Sequence, residues 1–336
     1  MNTRASLHDL VDRFAGRRVL AFGDLVLDRF ILGTPKRISR EAPVIILRFE
    51  EQRDVPGGGA NAMANIAALG GTVLPVGVVG DDEAGHGLVK LLESRDIDVS
   101  SILTVPGYRT VTKVRVLAGS TTSLRHQVAR YDVEDSLAAH EGWRDKLHAS
   151  VRGLAARADA AAVSDYGYGV VTAASVSRLR AALREGALTV ADSRFSLSEL
   201  GTIDGATPNL EELAALTGEQ PNGDRAVAEA AERLRLSLGA LFVVATRGSQ
   251  GLTLVESKAA PLHLPVYGTD QVADVTGAGD TVLATLTLAL AAGASPRDAA
   301  TLANLAAGIV VTKVGTATVA QTELHEAVDR APFLAS

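Results

Sequence analysis

Short apolar runs alternate with helical segments along this chain, and each run ends at a polar residue or is followed by one. The runs have the length and composition of buried strands, and they occupy residues 18–24, 73–80, 160–164, 188–191 and 241–245. Helical patterns lie between or after them, at residues 56–69, 172–184, 209–216, 224–238 and 299–311. Repeated strand–helix units favour a mainly parallel sheet with helices on both faces. The sequence therefore predicts a doubly wound α/β fold.

Composition limits the classes of protein to which the chain can belong. With 336 residues and 47% hydrophobic content, it can bury one large core or two smaller ones. It has no cysteine, which excludes disulfides, thiolate nucleophiles and zinc–thiolate sites. The net charge is −6 without a basic block, so no nucleic-acid partner is expected. The amino terminus lacks an apolar signal core, and the apolar helix near 281–292 is too short to cross a bilayer. We therefore expect a cytoplasmic protein with no membrane partner.

Two β-rich excursions interrupt the alternation of strands and helices. One spans residues 30–51 and the other spans residues 110–132. In the second, alternation at strand period leaves the basic side chains of Lys113 and Arg115 on one face. Such a face is either a binding surface or a solvated strand face. Together the two excursions predict a small sheet that covers a site.

Polar residues follow the apolar runs at the positions where parallel strands end. They are Asp24, Asp165, Asp192, Asn209, Thr246-Arg247-Gly248 and the loop 277–280. In doubly wound sheets, ligands bind at the carboxyl ends of the strands. Each of these residues alone is also consistent with a loop cap or a solvated turn. Their joint placement predicts one site at this edge of the sheet.

The stretch 274–281 carries the clearest chemical signal. A loop of small residues, Gly277, Ala278 and Gly279, runs directly into an apolar helix. The first N–H groups of a helix lack internal partners and carry the positive end of its dipole, so a phosphate can approach them closely. A carboxylate at Asp280 would repel that phosphate unless it serves to accept a proton. The stretch is either a phosphoryl-transfer centre, which we favour, or an ordinary helix cap.

Several common motifs are absent from the sequence. It has no Gly-x-x-x-x-Gly-Lys-Ser/Thr loop and no Gly-x-Gly-x-x-Gly after a strand, so a P-loop or dinucleotide-binding enzyme is not supported. The absence of Gly-x-Ser-x-Gly argues against a nucleophile elbow. The seven histidines lack the spacing of metal ligands.

Four motifs resemble those of the ribokinase, or PfkB, family of carbohydrate kinases, and they follow the family's order. They are Pro56-Gly57-Gly58-Gly59-Ala60-Asn61, Pro208-Asn209-Leu210-Glu211-Glu212, Thr246-Arg247-Gly248-Ser249-Gln250-Gly251 and Asp274 to Thr281. The resemblance covers almost the whole chain. It implies a single ribokinase-like kinase domain over residues 1–336, with a small β lid formed by about 30–55 and 108–132. It also implies a homodimer, since members of the family often pair through the lid strands.

The resemblance implies roles for individual residues of this chain. Asp280 is the base that deprotonates a sugar hydroxyl, and Gly277, Ala278 and Gly279 hold the charge of the transferring γ-phosphoryl group. The residues implied for ATP are Asn209, Glu212, Thr246, Gly248, Gly251 and Asn304, of which Asn209 and Glu212 organise Mg²⁺ through water. The residues implied for the substrate are Asp24, Asp28, Gly58, Asn61, Lys113, Arg115, Arg130, Asp165 and Arg194. The cofactors are then ATP and Mg²⁺, and a monovalent cation is left open.

Within the family, the chain resembles the subgroup that phosphorylates D-glycero-D-manno-heptose 7-phosphate in ADP-heptose and lipopolysaccharide core synthesis. The likeness lies in residues 37–44, 112–117, 164–166 and 315–319. Two departures stand against it: Tyr168 replaces a lysine of the subgroup, and Arg194 ends an element that usually reads Asp-Pro-Lys. The expected activity is formation of the heptose 1,7-bisphosphate. A kinase of another sugar, such as 2-keto-3-deoxygluconate, ribose or fructose phosphate, and a non-catalytic binding protein are the alternatives.

Overall fold

The computed structural model describes residues 3–119, 126–268 and 274–334, so residues 120–125 of the predicted lid lie outside the described residues. The helices of these ranges are α1 (Arg4–Asp12), α2 (Gly59–Ala68), α3 (Glu83–Glu93), α4 (Arg144–Ala155), α5 (Ala173–Ala182), α6 (Leu210–Thr217), α7 (Gly223–Leu238), α8 (Ala278–Ala291), α9 (Pro296–Val310) and α10 (Gln321–Arg330). The strands are β1 (Arg18–Gly23), β2 (Leu25–Ile38), β3 (Ile45–Gly58), β4 (Thr72–Gly80), β5 (Ile102–Val105), β6 (Thr112–Ala118), β7 (His126–Val133), β8 (Ala160–Asp165), β9 (Leu188–Ser193), β10 (Gly205–Ala206), β11 (Phe242–Thr246), β12 (Leu252–Glu256) and β13 (Leu262–Leu264).

The main sheet has the strand order β13-β12-β11-β10-β9-β8-β1-β4-β5. From β11 to β5 all neighbours pair in parallel. The last two strands, β12 and β13, extend the other edge in antiparallel pairing, which the sequence patterns did not predict. The prediction of a mainly parallel α/β sheet is confirmed.

Helices cover both faces of this sheet, and each face has its own apolar core. Successive residues of a strand point to opposite faces, so Val19 and Ala21 of β1 join one core while Leu20 and Phe22 join the other. The first core includes residues of α1, α2, α3, α8, α9 and α10, and the second includes residues of α4, α5, α6 and α7. No helix in the described ranges is long and apolar enough to cross a bilayer.

The lid is a separate sheet with the order β3-β2-β6-β7. Its long strands β2 and β3 pair in antiparallel register from Leu25 with Gly58 to Ile38 with Ile45. The predicted helix over 56–69 therefore begins only at Gly59, because residues 56–58 complete β3 and pair with β2. The lid contributes side chains to a cleft above the main sheet, and its strands also carry exposed apolar side chains.

Candidate active site

A cleft of about 410 Å³ lies between the lid and the carboxyl edge of the main sheet. The lid lines it with Asp28, Gly58, Lys113, Arg115 and Arg130. The strand ends and the turns after them add Asp165, Tyr166, Asp192, Arg194, Thr207, Asn209, Glu212 and Thr246, and the start of α8 adds Val275, Thr276, Gly277, Gly279 and Asp280. The topology thus brings most of the polar strand-end residues to one edge, as parallel strands require.

Helix α8 begins at the cleft behind a left-handed glycine. Gly277 has φ +82°, and a Cβ atom there would lie 2.6 Å from Nδ2 of Asn61, so both conformation and space favour glycine. Gly277 and Gly279 line the cleft. Ala278 instead lines a neighbouring cavity, and its N–H donates to the Val275 carbonyl oxygen at 3.3 Å. The helix N-terminus therefore presents the backbone of the two glycines to an anion in the cleft.

Asp280 lies in the first turn of α8 and is 3% exposed. Nδ2 of Asn61 donates to its Oδ2 at 3.1 Å, and the Tyr166 hydroxyl donates to its Oδ1 at 3.0 Å. Burial raises the pKa of Asp280 to about 7, although these hydrogen bonds and the Lys113 ammonium lower it and Asp28 raises it further. A carboxylate with this pKa can accept a proton near neutral pH.

The lid wall combines a paired and an unpaired cation. Nη1 of Arg115 donates to Oδ1 of Asp28 at 2.5 Å, and the Thr316 hydroxyl donates to the other oxygen of Asp28 at 2.8 Å. Lys113 is 6% exposed and has no hydrogen bond or ion pair with a side chain of the described ranges. Burial and the neighbouring Arg194 guanidinium lower the pKa of Lys113. Lys113 is thus available to an anionic group of a ligand.

Two further arginines, both predicted to bind the substrate, line the cleft. Arg130 donates twice to the carboxylate of Asp132, at 2.9 and 2.6 Å. The guanidinium carbon of Arg194 lies 5.2 Å from the centroid of the Tyr166 ring, and within the described ranges its side chain forms no ion pair. Arg194 therefore adds a second free positive charge to that of Lys113.

Two of the acids predicted for the substrate bind the protein itself. The carboxylate of Asp24 accepts three backbone N–H groups of the loop 166–170, at 2.8 to 3.2 Å. Asp24 does not line the cleft, and burial raises its pKa to about 6. Asp165 does line the cleft, but its carboxylate accepts hydrogen bonds from the hydroxyls of Ser193, at 2.6 Å, and Ser196. Asp24 therefore holds the backbone of the loop 166–170, which contributes Tyr166 to the cleft.

A second cavity of about 230 Å³ adjoins the cleft and is largely apolar. It shares Thr246, Val275 and Gly279 with the cleft. The predicted nucleotide residues Gly248, Gly251 and Asn304 line it, together with Ser249, Leu252, Val266, Ala278, Val282, Ala307, Gly308 and Val311. An apolar slot that opens into a polar cleft at a helix N-terminus has the shape and chemistry for a purine nucleotide.

Asn209 and Glu212 face the cleft at the start of α6, where each caps the other. The Glu212 N–H donates to the Asn209 side-chain oxygen and the Asn209 N–H to the Glu212 carboxylate, both at 2.9 Å. Burial raises the pKa of Glu212, and burial with Glu212 and Asp280 nearby raises the pKa of Asp192 well above its ordinary value.

This set of oxygen donors fits Mg²⁺. No group of three or more His, Asp or Glu side chains in the described ranges is arranged to hold a metal ion directly. Mg²⁺ usually keeps several water ligands and binds through one or two carboxylates together with substrate phosphates. A divalent cation near Asn209 and Glu212 would also relieve the repulsion among the carboxylates of this wall.

The contacts of Tyr166 and Thr316 were not predicted as parts of the site. Both residues lie in stretches that resembled the heptose phosphate subgroup, at 164–166 and 315–319, so a signal was present in the sequence. The pattern gave no indication that the Tyr166 hydroxyl would reach Asp280, because the two residues are 114 positions apart.

A polar cleft with a buried carboxylate of raised pKa at a helix N-terminus, joined to an apolar slot, is the arrangement of a phosphotransferase that acts on a hydroxyl group. The chain matches the model of the pfkB family carbohydrate kinases over residues 17–323. It belongs to that family and is a carbohydrate kinase.

Two curated relatives share about two fifths of their aligned residues with the chain. It is 41% identical over 327 residues to the bifunctional protein HldE of Caulobacter sp. (strain K31) and 42% identical over 322 residues to that of Azotobacter vinelandii. Both matches cover 95% of this chain but only 64% and 65% of the relatives. The chain thus spans about two thirds of the length of the curated relatives that it matches.

Solved structures confirm the fold. Phosphofructokinase-2 from Escherichia coli in complex with potassium matches with a TM-score of 0.76 at 22% identity, covering 94% of this chain and 98% of that one. Arabidopsis thaliana ribokinase complexed with ribose and ATP matches with a TM-score of 0.71 at 20% identity, covering 94% and 100%.

Proposed function

We propose that the chain transfers the γ-phosphoryl group of ATP to D-glycero-D-manno-heptose 7-phosphate, giving the 1,7-bisphosphate in ADP-heptose and lipopolysaccharide core synthesis. The observation that carries the kinase chemistry is Asp280, a buried carboxylate with a pKa of about 7 where the cleft meets the apolar slot. The choice of sugar is supported by the subgroup motifs and by the similarity to the HldE proteins.

In the proposed reaction, Asp280 accepts the proton of the sugar hydroxyl. The hydroxyl oxygen forms a bond to the γ-phosphorus while the bond from that phosphorus to the β,γ-bridging oxygen breaks, and ADP leaves with the electron pair. The backbone N–H groups of Gly277 and Gly279 stabilise the charge on the transferring group. Most of the rate enhancement then comes from positioning and charge stabilisation.

The cations of the cleft fit a substrate that already carries a phosphate. Lys113 and Arg194 have no ion-pair partner among the described residues and would bind that group, with Arg130 beside them. The Asp28 carboxylate, held by Arg115, would accept hydrogen bonds from sugar hydroxyls.

The apolar slot would hold the adenine ring, and Asn209 and Glu212 would hold Mg²⁺ through water. When bound, Mg²⁺ neutralises charge on the β- and γ-phosphates. We include a monovalent cation in the proposal because the phosphofructokinase-2 relative was solved with potassium. Rates in KCl that exceed those in tetramethylammonium chloride would support it, and equal rates would exclude it.

A kinase of another sugar or sugar phosphate is the second candidate, and two observations favour it. Tyr168 supplies no charge and donates its hydroxyl to Glu134 at 2.8 Å, and Arg194 replaces the usual lysine. The test is ADP release with a panel that includes heptose 7-phosphate, fructose 6-phosphate, ribose and 2-keto-3-deoxygluconate. The highest kcat/KM with the heptose supports our proposal, preference for another sugar overturns the narrower claim, and no turnover with any sugar indicates a binding protein.

We also propose that the chain forms a homodimer through the strands of the lid. Large apolar side chains are exposed on or beside the lid strands at Ile38, Val44, Ile45, Phe49, Val128 and Tyr131. Several large exposed apolar side chains on one small sheet favour an interface with another protein. A second copy that covers these side chains would remove them from water.

A further inference from the structure

Tyr166 lies where the base, the lid and the free cations meet. Its hydroxyl donates to Oδ1 of Asp280 at 3.0 Å. The Lys113 ammonium lies 4.6 Å from the centroid of its ring, and the Arg194 guanidinium carbon lies 5.2 Å from it. Both distances are within the range of favourable cation–π contact. None of the roles implied by the family motifs falls on this residue.

The surroundings of Tyr166 fix both its backbone and its ring. The Tyr166 N–H donates to the buried Asp24 carboxylate at 2.8 Å. Gly58 packs against the ring edge, since a Cβ atom there would lie 3.2 Å from Cε2 of Tyr166. Burial and the nearby Asp280 carboxylate raise the pKa of Tyr166 well above its ordinary value. The hydroxyl therefore keeps its proton and serves as a donor.

Two donors divide the oxygens of Asp280 between them. Asn61 donates to Oδ2 and Tyr166 to Oδ1, so the carboxylate cannot rotate without losing both hydrogen bonds. Each carboxylate oxygen retains a further lone pair for the proton of a substrate. A base held in one orientation lowers the entropic part of the barrier to proton transfer.

We propose that Tyr166 is a positioning residue for phosphoryl transfer: its hydroxyl orients Asp280, and its ring holds Lys113 and Arg194 toward the phosphate of the substrate. The inference rests on the proposed function, because it takes Asp280 as the group that accepts the proton of the sugar hydroxyl. It also assigns Asp24 a supporting role, because the Asp24 carboxylate accepts the N–H of Tyr166 and so fixes the backbone of that residue.

The Tyr166→Phe variant removes the hydroxyl and keeps the ring. We expect kcat to fall about tenfold, the usual scale for losing a hydrogen bond to a charged group, with KM for the sugar phosphate unchanged. The acid limb of the kcat profile should move up by about one pH unit, because the lost donor had lowered the pKa of Asp280. The other charged groups that face Asp280, namely Asp28, Lys113 and Asp192, are unaltered in this variant.

The Tyr166→Leu variant removes the ring as well, and its KM for the phosphorylated sugar should rise about tenfold above that of Tyr166→Phe. Tyr108→Phe is the matched control, since Tyr108 is a buried tyrosine of the second core and lines neither cavity. It should keep the wild-type kcat and pH profile. Thermal unfolding of all three variants gives the folded fraction by which the rates are corrected.

The outcomes separate this inference from the proposed function. If Tyr166→Phe keeps the wild-type kcat and acid limb, Tyr166 does not position the base. Equal KM values in the Phe and Leu variants would overturn the role of the ring. An active Asp280→Asn variant would instead refute the proposed base, whereas an inactive Asp280→Asn beside an unaltered Tyr166→Phe would refute only the inference about Tyr166.

Discussion

Asp24 and Asp280 are both buried carboxylates at the carboxyl edge of the sheet, yet their surroundings assign them different chemistry. Asp24 accepts three backbone N–H groups and does not line the cleft, so its charge is committed to the loop 166–170. Asp280 accepts two side-chain donors and lines the cleft, with a pKa near 7. Access to the cleft, together with a pKa near neutrality, therefore supports our proposal that Asp280 is the general base, whereas Asp24 is bound to the protein itself.

Replacing Asp280 with Asn should lower kcat at least about 1,000-fold, since an amide cannot accept the proton, while ATP binding stays within about threefold of wild type. Coupled ADP-release assays and calorimetric titration with a non-hydrolysable ATP analogue measure the two quantities. A variant that keeps even a tenth of the wild-type rate would contradict the assignment of Asp280 as base.

At the scale of elements, the first turn of helix α8 contributes two features to the cleft, the glycine backbone and the Asp280 carboxylate. Its first residues present the glycine backbone to an anion, and the same turn buries Asp280 among donors from α2 and from the loop after β8. Glycine at position 277 has no side chain, so Asn61 can approach it closely enough to donate to Asp280. The start of α8 therefore has a steric requirement for glycine at position 277, in addition to its proposed role in anion binding.

The Gly277→Ala variant tests this steric requirement, and Gly293→Ala at the other end of α8 is its control. Gly293 has φ +88° and open space for a methyl group, with no other atom within 4 Å, whereas a methyl group on Gly277 would meet Nδ2 of Asn61 at 2.6 Å. Both variants should lose about 1 kcal/mol of unfolding free energy from the left-handed backbone. Only Gly277→Ala should also lose kcat, by about tenfold or more, because it displaces a donor to Asp280. Equal kcat values for the two variants would refute the steric argument.

The second prediction for a structural element concerns the exposed apolar side chains of the lid and the proposed homodimer. Phe49 is 63% exposed on β3, and Leu236 of α7 is exposed to the same extent outside the lid. Phe49→Ser should shift the protein toward monomers, raising the dimer dissociation constant about tenfold or more, because it removes a large apolar anchor. Leu236→Ser should leave the association unchanged. Sedimentation velocity over a concentration series measures both, and a monomeric wild type would refute the proposed dimer.

At the scale of the whole molecule, burial of the Asp280 carboxylate lowers the free energy of unfolding at neutral and higher pH, where the carboxylate is ionised. The pKa of Asp280 rises from 3.8 to about 7 on folding, so the folded state binds more protons than the unfolded state between these values. The stability associated with protonated Asp280 is fully present below pH 4 and is lost as the pH rises through 7. Wild-type protein therefore carries a cost of up to about 4 kcal/mol above pH 7 from this group.

The Asp280→Asn variant should escape this cost. Its neutral amide forms weaker hydrogen bonds with Asn61 and Tyr166 than an ionised carboxylate does, at a cost of about 1 kcal/mol. We expect it to be more stable than wild type by about 1 to 3 kcal/mol at pH 8 and no more stable at pH 4. Urea unfolding at the two pH values measures the difference in unfolding free energy between the variant and the wild type. The contributions of the other buried acids largely cancel in this difference, because both proteins contain them. A constant difference across this range would show that Asp280 does not titrate as described.

Much of the fold follows from local pattern alone. The alternation of apolar runs and helical segments predicted the parallel sheet, and parallel strands end at one edge, so the location of the site followed as well. Alternation along β6 correctly placed Lys113 and Arg115 on one face, and both line the cleft. Short strands such as β10, with two residues, carry no periodic signal and were not predicted.

The sequence by itself determined the strand–helix framework, the sheet edge at which the cleft lies and the glycine-rich start of α8, because each depends on short-range periodicity or on adjacent residues. Only the tertiary structure decided which polar groups face the cleft. Asn61 and Asp280 are 219 positions apart, and the packing of α2 against α8 brings them to 3.1 Å. The parallel pairing of β1 with β8 places Asp24 beside the loop 166–170, and that loop carries the Tyr166 hydroxyl to Asp280. Hydrogen bonds of this kind depend on distances of a few ångströms between remote segments, which residue patterns do not specify.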